Sequence, residues 1–347
     1  MSEDEAVTNI DYSLQKMLNV PEDEVVIIKS ITDSTTAVTI KASVENKINA
    51  SYFIKTSKKR NGLKTGTCLG IREVEFYKFI NSINLKTYPN IPKCINKHIS
   101  DDGQSYYLVL EDLSPTYTGY QKIDAVDLET WRFAVRALAG FHKFFINKLS
   151  ENQILAKSET EIGVQSYVEK LRTAYSRFKE DHAGQIEKNV FQLLEKSISD
   201  LLKIEQDKNA RIKDNSITTI THGDSHIRNF LFPENKHDIA KIVDWQFWNI
   251  GIGTYDLRHL LGHILDYHIG QHQKSLVGYY FQTLSKNMSL DYSWEECWTD
   301  YRKGILDNLF MPVWQYAGFG WEYGRWIETL NSAVENYYEL ECDNLEL

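Results

Sequence analysis

The sequence predicts an α+β chain in two lobes, a small β-rich one followed by a large, mainly helical one. Three observations carry this. At 347 residues the chain is long enough for two lobes or domains rather than one compact core. Up to residue 111 its apolar runs are mostly short and bounded by polar turns, as strands are. Beyond Ser114-Pro115, which breaks the pattern, apolar residues recur at helical spacing instead. The lobe boundary falls at residues 113 to 116, dividing the chain into 1–113 and 114–347.

In chain order, the first lobe begins with a polar lead, MSEDEAVTNI, and a short helix around Tyr12 to Leu18. The lead lacks the apolar core of a signal peptide. Three strands follow: Val25 to Ile31, Ala37 to Ser43 and Ala50 to Lys55. Val38, Ile40 and Ala42 alternate as on a half-buried strand. Asp33 to Thr36 is a polar turn between the first two. Lys55 closes the third strand in FIKT, where its ammonium points inward toward an anion or snorkels to solvent. The next segment, SKKRNGLKTGTCLG, is basic and glycine-containing, but no Gly-Lys-Ser/Thr follows the spacer as a P-loop requires. Gly70 to Ile83 reads as an amphipathic helix with Ile71, Val74 and Tyr77 toward the core. Tyr106 to Glu111, YYLVLE, is a further strand.

The second lobe opens on a helix from Asp127 to Asn147, whose Leu128, Trp131, Val135, Leu138 and Phe145 form one stripe. His142 on that stripe reads as a bonded core histidine. Helical stretches at Gln165 to Phe178 and Gln185 to Leu202 lead to the most informative part of the chain, Ile217 to Leu261. There two strands, Asn229 to Phe232 and Ile239 to Val243, flank a polar turn at Pro233 to Asp238. Asp224 and Asn229 enter the first strand and Asp244 leaves the second, so a hairpin gathers two acids and an amide oxygen into one cleft. Such oxygen ligands suit Mg²⁺, which completes its shell with water and phosphate oxygens. The chemistry implied is phosphoryl transfer, with one acid accepting a proton while the amide and the other acid hold metal.

His222-Gly223-Asp224, then Asn229, then Asp244, resembles the HGDxxxxN…D signature of aminoglycoside phosphotransferases and choline kinases. Trp245-Gln246 and the following GIGTYDLRHLL look especially like the phosphotransferase enzyme and ecdysteroid-kinase-like branches. The resemblance implies a protein-kinase-like fold and ATP-dependent phosphorylation of a small-molecule hydroxyl. Asp224 would then be the catalytic base, and Asn229 and Asp244 the Mg²⁺ ligands. Lys55 matches the lysine that orients the nucleotide phosphates, Glu73 its helix partner, and the main chains of Glu111 and Leu113 the hinge that meets the adenine edge. Asp256 matches the aspartate that braces the catalytic loop, and the turn at Ser34 to Thr36 covers the phosphates or is an ordinary hairpin turn. One departure is that many relatives carry a second acid two residues past the metal aspartate, where this chain has Gln246. The reading of a different class is a nucleotide-binding regulatory protein, a pseudokinase, that no longer transfers phosphate.

Composition narrows the partners. A net charge of −9 disfavours nucleic acid, and no run approaches the ~20 apolar residues of a membrane helix. The four cysteines, Cys68, Cys94, Cys297 and Cys342, form no CxxC pair, as expected of free thiols in the cytoplasm. Asn249 to Asp256 imitates a dinucleotide fingerprint, but Asp256 stands where the third glycine belongs and suits a helix first turn. His259 with His263, and His268 with His272, have i, i+4 spacing without the glutamate of a zinc helix. From Trp294 to Trp326 the chain is rich in aromatic residues, which pack a core or, for a subset, line a pocket for an apolar or cationic acceptor.

Overall fold

A computed structural model describes residues 12–33, 37–47, 51–57, 67–83, 90–120, 126–151, 161–214, 217–235, 237–262, 271–318 and 326–340. They form two compact units, drawn from Met1–Gly119 with Asn229–Trp248 and from Tyr120–Arg228 with Asn249–Leu347. The turn at Ser34 to Thr36, most of the basic segment after Ser57, and His263 and His268 lie outside the described residues.

The first unit starts with α1 (Leu14–Leu18). Ser13 caps it by accepting the Lys16 N–H, and Asn19 ends it in the left-handed conformation. That cap excludes Tyr12, which the sequence places in the helix. Its hydroxyl meets Ser105 instead, and its ring packs edge-on against His98 and Tyr107. Strands β1 (Val26–Asp33), β2 (Val38–Val44), β3 (Ser51–Thr56), β4 (Cys94–Ile99) and β5 (Tyr106–Glu111) form an antiparallel sheet in the order β1-β2-β3-β5-β4. The expected alternation of β2 buries Val38, Ile40, Ala42 and Val44 beside Leu14, Met17 and Leu18 of α1.

β4 is absent from the sequence reading because it is an edge strand. Only Cys94 of CINKHI is buried, so the apolar alternation that marks a half-buried strand is missing. Helix α2 (Thr67–Ser82) lies close to β5, since a Cβ on Gly70 would overlap the Tyr106 ring. Glycine therefore sets the depth at which this helix, and Glu73 one turn on, meets the sheet.

After β6 (Tyr117–Gly119) the chain enters the second unit with α3 (Leu128–Glu151), α4 (Glu161–His182), α5 (Lys188–Asp214) and β7 (Thr218–Thr221). The expected stripe of α3 buries Trp131, Val135, Leu138, His142 and Phe145. The chain then returns to the first unit for a hairpin, β8 (Phe230–Pro233) and β9 (Lys241–Ile242), which joins β6 in the order β6-β8-β9. Asn229, read as the start of the first hairpin strand, sits in the preceding turn Ile227–Asn229. β10 (Asn249–Ile252) pairs antiparallel with β7 and leads into α6 (Thr254–Leu261).

Helices α7 (Gln273–Ser285), α8 (Trp294–Leu309) and α9 (Trp326–Glu339) complete the unit, with a π turn at Trp314–Gly318. Ser293 and Glu296 close a reciprocal capping box at the start of α8. Trp294, Trp298 and Tyr301 stack in succession along α8, and Phe310 is fully buried, so these aromatics serve packing. The side chains of Phe319, Trp321, Tyr323 and Trp326 lie outside the described residues. Among the described residues no helix is long and apolar enough to cross a membrane.

Candidate active site

In the first unit, three chain-distant residues converge. Lys55 Nζ, from β3, lies 2.8 and 3.1 Å from the two carboxylate oxygens of Glu73 on α2. It also donates to Asp244 Oδ1 at 2.8 Å, just past the end of β9. Glu73 is 1% exposed. Burial opposes the charge on Lys55, but the two carboxylates outweigh it and hold the ammonium well above its ordinary value. Burial pushes the Glu73 carboxyl upward against the pull of the same lysine. One cation between two acids leaves a formal surplus of one negative charge.

Backbone geometry aims Asp244. Its φ of 70° and ψ of 61° lie in the left-handed region, which costs energy for a residue with a Cβ. The next residue, Trp245, stacks flat on Phe76 of α2, with ring centroids 4.2 Å apart, and its N–H points at Glu73 Oε1 at 3.4 Å. Arg72 donates to the carbonyls of Gln246 and Trp248 at 3.1 and 2.6 Å, and the Trp248 indole N–H returns a bond to the Arg72 carbonyl. Helix α2 thus grips the turn carrying Asp244 on both sides of Glu73. Asn229 joins this group through the hairpin, where its carbonyl accepts the Val243 N–H at 2.9 Å beside Asp244. Glu111 ends β5, its N–H bonded to the Lys93 carbonyl, and the Leu113 carbonyl accepts the N–H groups of Thr116 and Tyr117.

The hairpin end fits a hard divalent cation. The Asn229–Val243 backbone bond brings Asn229 next to Asp244 in the chain path, and oxygen donors of these two kinds suit such a cation. Among the described residues, no cluster of three His, Cys, Asp or Glu is arranged to hold a metal. A cation here would draw most of its shell from water and phosphate oxygens, as Mg²⁺ does.

Asp224 belongs to the second unit, in the loop between β7 and the turn at Ile227–Asn229. Gly223, with φ of 80°, makes the left-handed step that presents it. Asp256, in the first turn of α6, braces this loop from beneath. Its Oδ2 accepts the His222 N–H at 2.5 Å, and its Oδ1 accepts the Gly223 N–H at 2.9 Å. His142 Nε2 lies 3.1 Å from the same Oδ2, and His142 Nδ1 is 2.7 Å from the Tyr280 hydroxyl. Burial works to raise the Asp256 carboxyl, but the His142 hydrogen bond and the nearby charges hold it below the usual carboxylate range.

The Asp224 N–H donates to His222 Nδ1 at 3.2 Å. Its carboxylate faces two more histidines, His259 Nε2 at 3.1 Å from Oδ1 and His226 Nε2 at 3.5 Å from Oδ2. Burial would raise Asp224, yet the bond from His259 and the charges of His226, His259 and His222 hold it well below the ordinary range. Burial lowers His226, against the opposing pull of Asp224.

The structure therefore gathers Lys55, Glu73, Asn229 and Asp244 in one unit and holds Asp224 in a braced loop of the other. Arg72, Trp245 and His259 are absent from the sequence reading as site residues, whereas His222 reads there as orienting the catalytic loop and His226 as flanking the site. A signal for His259 existed: it lies three residues after Asp256 on α6, on the same helix face.

The ecdysteroid kinase-like family matches residues 34–290. None of the curated protein sequences matches the chain. Among solved structures, a choline kinase from Cryptosporidium parvum is similar at 12% identity and a TM-score of 0.56, over 98% of this chain and 94% of that one. The choline kinase LicA from Streptococcus pneumoniae is similar at 15% identity and a TM-score of 0.52, over 90% and 94%. Amicoumacin kinase hAmiN, in complex with AMP-PNP, Ca²⁺ and Ami, is similar at 11% identity and a TM-score of 0.53, over 96% and 95%. At these identities the likeness is one of fold, the kinase-like phosphotransferase fold that the sequence reading expects.

Proposed function

The chain belongs to the ecdysteroid kinase-like family, and we propose that it transfers the γ-phosphoryl group of ATP to a hydroxyl of a small molecule. The observation that carries this reading is the Lys55 cluster, where a strand lysine is held by a helix glutamate beside a metal-competent aspartate. In this reading Lys55, fixed by Glu73, holds phosphate oxygens as a point charge. The main chains of Glu111 and Leu113 meet the adenine edge. Asn229 and Asp244 would hold Mg²⁺, which would neutralise charge on the transferring phosphate.

Asp224 accepts the hydroxyl proton as the acceptor oxygen bonds to the γ-phosphorus. The bond from that phosphorus to the β-phosphate oxygen breaks, and ADP leaves with the electron pair. The lowered carboxyl of Asp224 keeps the base ionised at neutral pH. Positioning and electrostatics supply most of the acceleration.

The test is ADP release from MgATP across amines, sugars, sterols and antibiotics, with wild type and Asp224→Ala side by side. Transfer to an acceptor that falls ~10²–10⁴-fold in Asp224→Ala, with ATP binding retained, supports the reading. A wild-type protein that binds MgATP yet phosphorylates none of the panel, and releases no more ADP than Asp224→Ala does, belongs to the regulatory class instead.

A further inference from the structure

Helix α6 touches the catalytic loop twice from one face. Asp256 holds the backbone N–H groups of His222 and Gly223. One turn later, His259 reaches the side chain of Asp224. The first contact places the loop, whereas the second acts on the carboxylate itself. We propose that His259 is the positioning residue of Asp224, fixing the carboxylate through Oδ1 so that Oδ2 receives the acceptor proton. This inference rests on the phosphotransferase reading above.

The donor and acceptor roles follow from chemistry. An ionised carboxylate only accepts hydrogen bonds, so at 3.1 Å the His259 Nε2 carries the proton. A carboxylate anchored only through its backbone can turn about its side-chain torsions. A second anchor at Oδ1 removes that freedom, and a base must be aimed to within a fraction of an ångström to act. His226 stands farther off, at 3.5 Å from Oδ2, so it holds that oxygen more loosely than His259 holds Oδ1 at 3.1 Å. The side chains of His259 and Asp224 are 14% and 30% exposed, which shelters the contact while leaving Asp224 open to an acceptor.

The charged and titratable groups facing this carboxylate are His222 and His226 from its own loop, with Arg228 acting on His226, and His259 from α6. Each of the three histidines helps hold Asp224 in its basic, ionised form. Removing His259 takes away the largest of these opposing influences, so burial then pushes the carboxyl upward.

The experiment compares wild type, His259→Ala and His259→Gln, whose amide N–H₂ can still donate. The expected result is a loss of kcat on the order of tenfold or more in His259→Ala, with KM for ATP unchanged. The acid limb of its kcat/KM profile moves to higher pH, and His259→Gln recovers part of both. Thermal unfolding of each protein shows that the chain is folded. The second arm needs no turnover: nitrogen-edited NMR follows the His259 ring N–H, which Asp224 shelters from solvent exchange. Its loss in Asp224→Ala supports the contact, and an unchanged resonance overturns the proposal. Wild-type kcat and an unmoved acid limb in folded His259→Ala overturn it as well. A wild-type protein that releases no more ADP than Asp224→Ala overturns the functional reading instead, and the NMR arm separates the two failures.

Discussion

Replacing Asp256 by asparagine removes one oxygen from a site where three donors meet. The carboxylate is 2% exposed. Its Oδ2 takes the His222 N–H at 2.5 Å and a contact from His142 at 3.1 Å, and its Oδ1 takes the Gly223 N–H at 2.9 Å. In the better of its two orientations, asparagine keeps the acceptor at the Oδ2 position and turns its amide N–H₂ toward Gly223. One bond to a charged acceptor is lost, about 1.5–3 kcal/mol, and the Gly223 donor faces another donor. The two surviving bonds lose their ionic character at roughly 1 kcal/mol each. The expected cost is about 3–5 kcal/mol, the range for breaking a buried charged network. Urea unfolding measures the loss, and amide exchange at Gly223 shows whether it is local to the loop. The carboxyl is held below its ordinary value, so its stabilisation is present above about pH 4, where an unfolded aspartate is ionised. It fades as pH falls through the lower folded value, and the gap between wild type and Asp256→Asn narrows there. A loss under about 1 kcal/mol at pH 7, or unchanged exchange at Gly223, refutes the account of Asp256 as the brace.

Three further outcomes follow from the site. Lys55→Met strands the buried Glu73 and should cost about 3 kcal/mol in urea unfolding while raising KM for ATP; a loss under about 1 kcal/mol counts against the cluster. Because Lys55 is held above its ordinary value, the stability it contributes is complete below about pH 10 and declines only as pH rises past it. Asp244→Asn should weaken MgATP binding about tenfold or more by calorimetry, and unchanged affinity and activity would remove Asp244 from the metal site. Burial pushes the Cys94 and Cys297 thiols up to about 11 and about 12, so peptide mapping after alkylation at pH 8 should find both unmodified in the folded protein.

What the sequence discloses depends on whether a residue's type announces its task. In β2 and β5 it does, since apolar residues at period two bury as a strand does, and a run of only six residues rich in Tyr, Val and Leu is too short for a buried helix. β7 is the opposite case: TTIT is wholly buried, yet three of its four residues are threonines in a run too short to read. α5 runs on to Asp214, past the expected Leu202, because Lys, Glu and Gln continue a helix by propensity after the apolar stripe thins. The candidate site divides the same way. Asp224, Asn229, Asp244 and Lys55 stand out as oxygen or ammonium groups at strand ends. His259, by contrast, gains meaning only from a partner 35 residues away. Yet its position was available, three residues after Asp256 and so on the face that α6 must turn toward the loop Asp256 holds. Helical periodicity carries the information, but using it requires first knowing that Asp256 points at the loop that carries Asp224. A partner's partner can be read from sequence only after the first contact is known, and this order of inference hid His259.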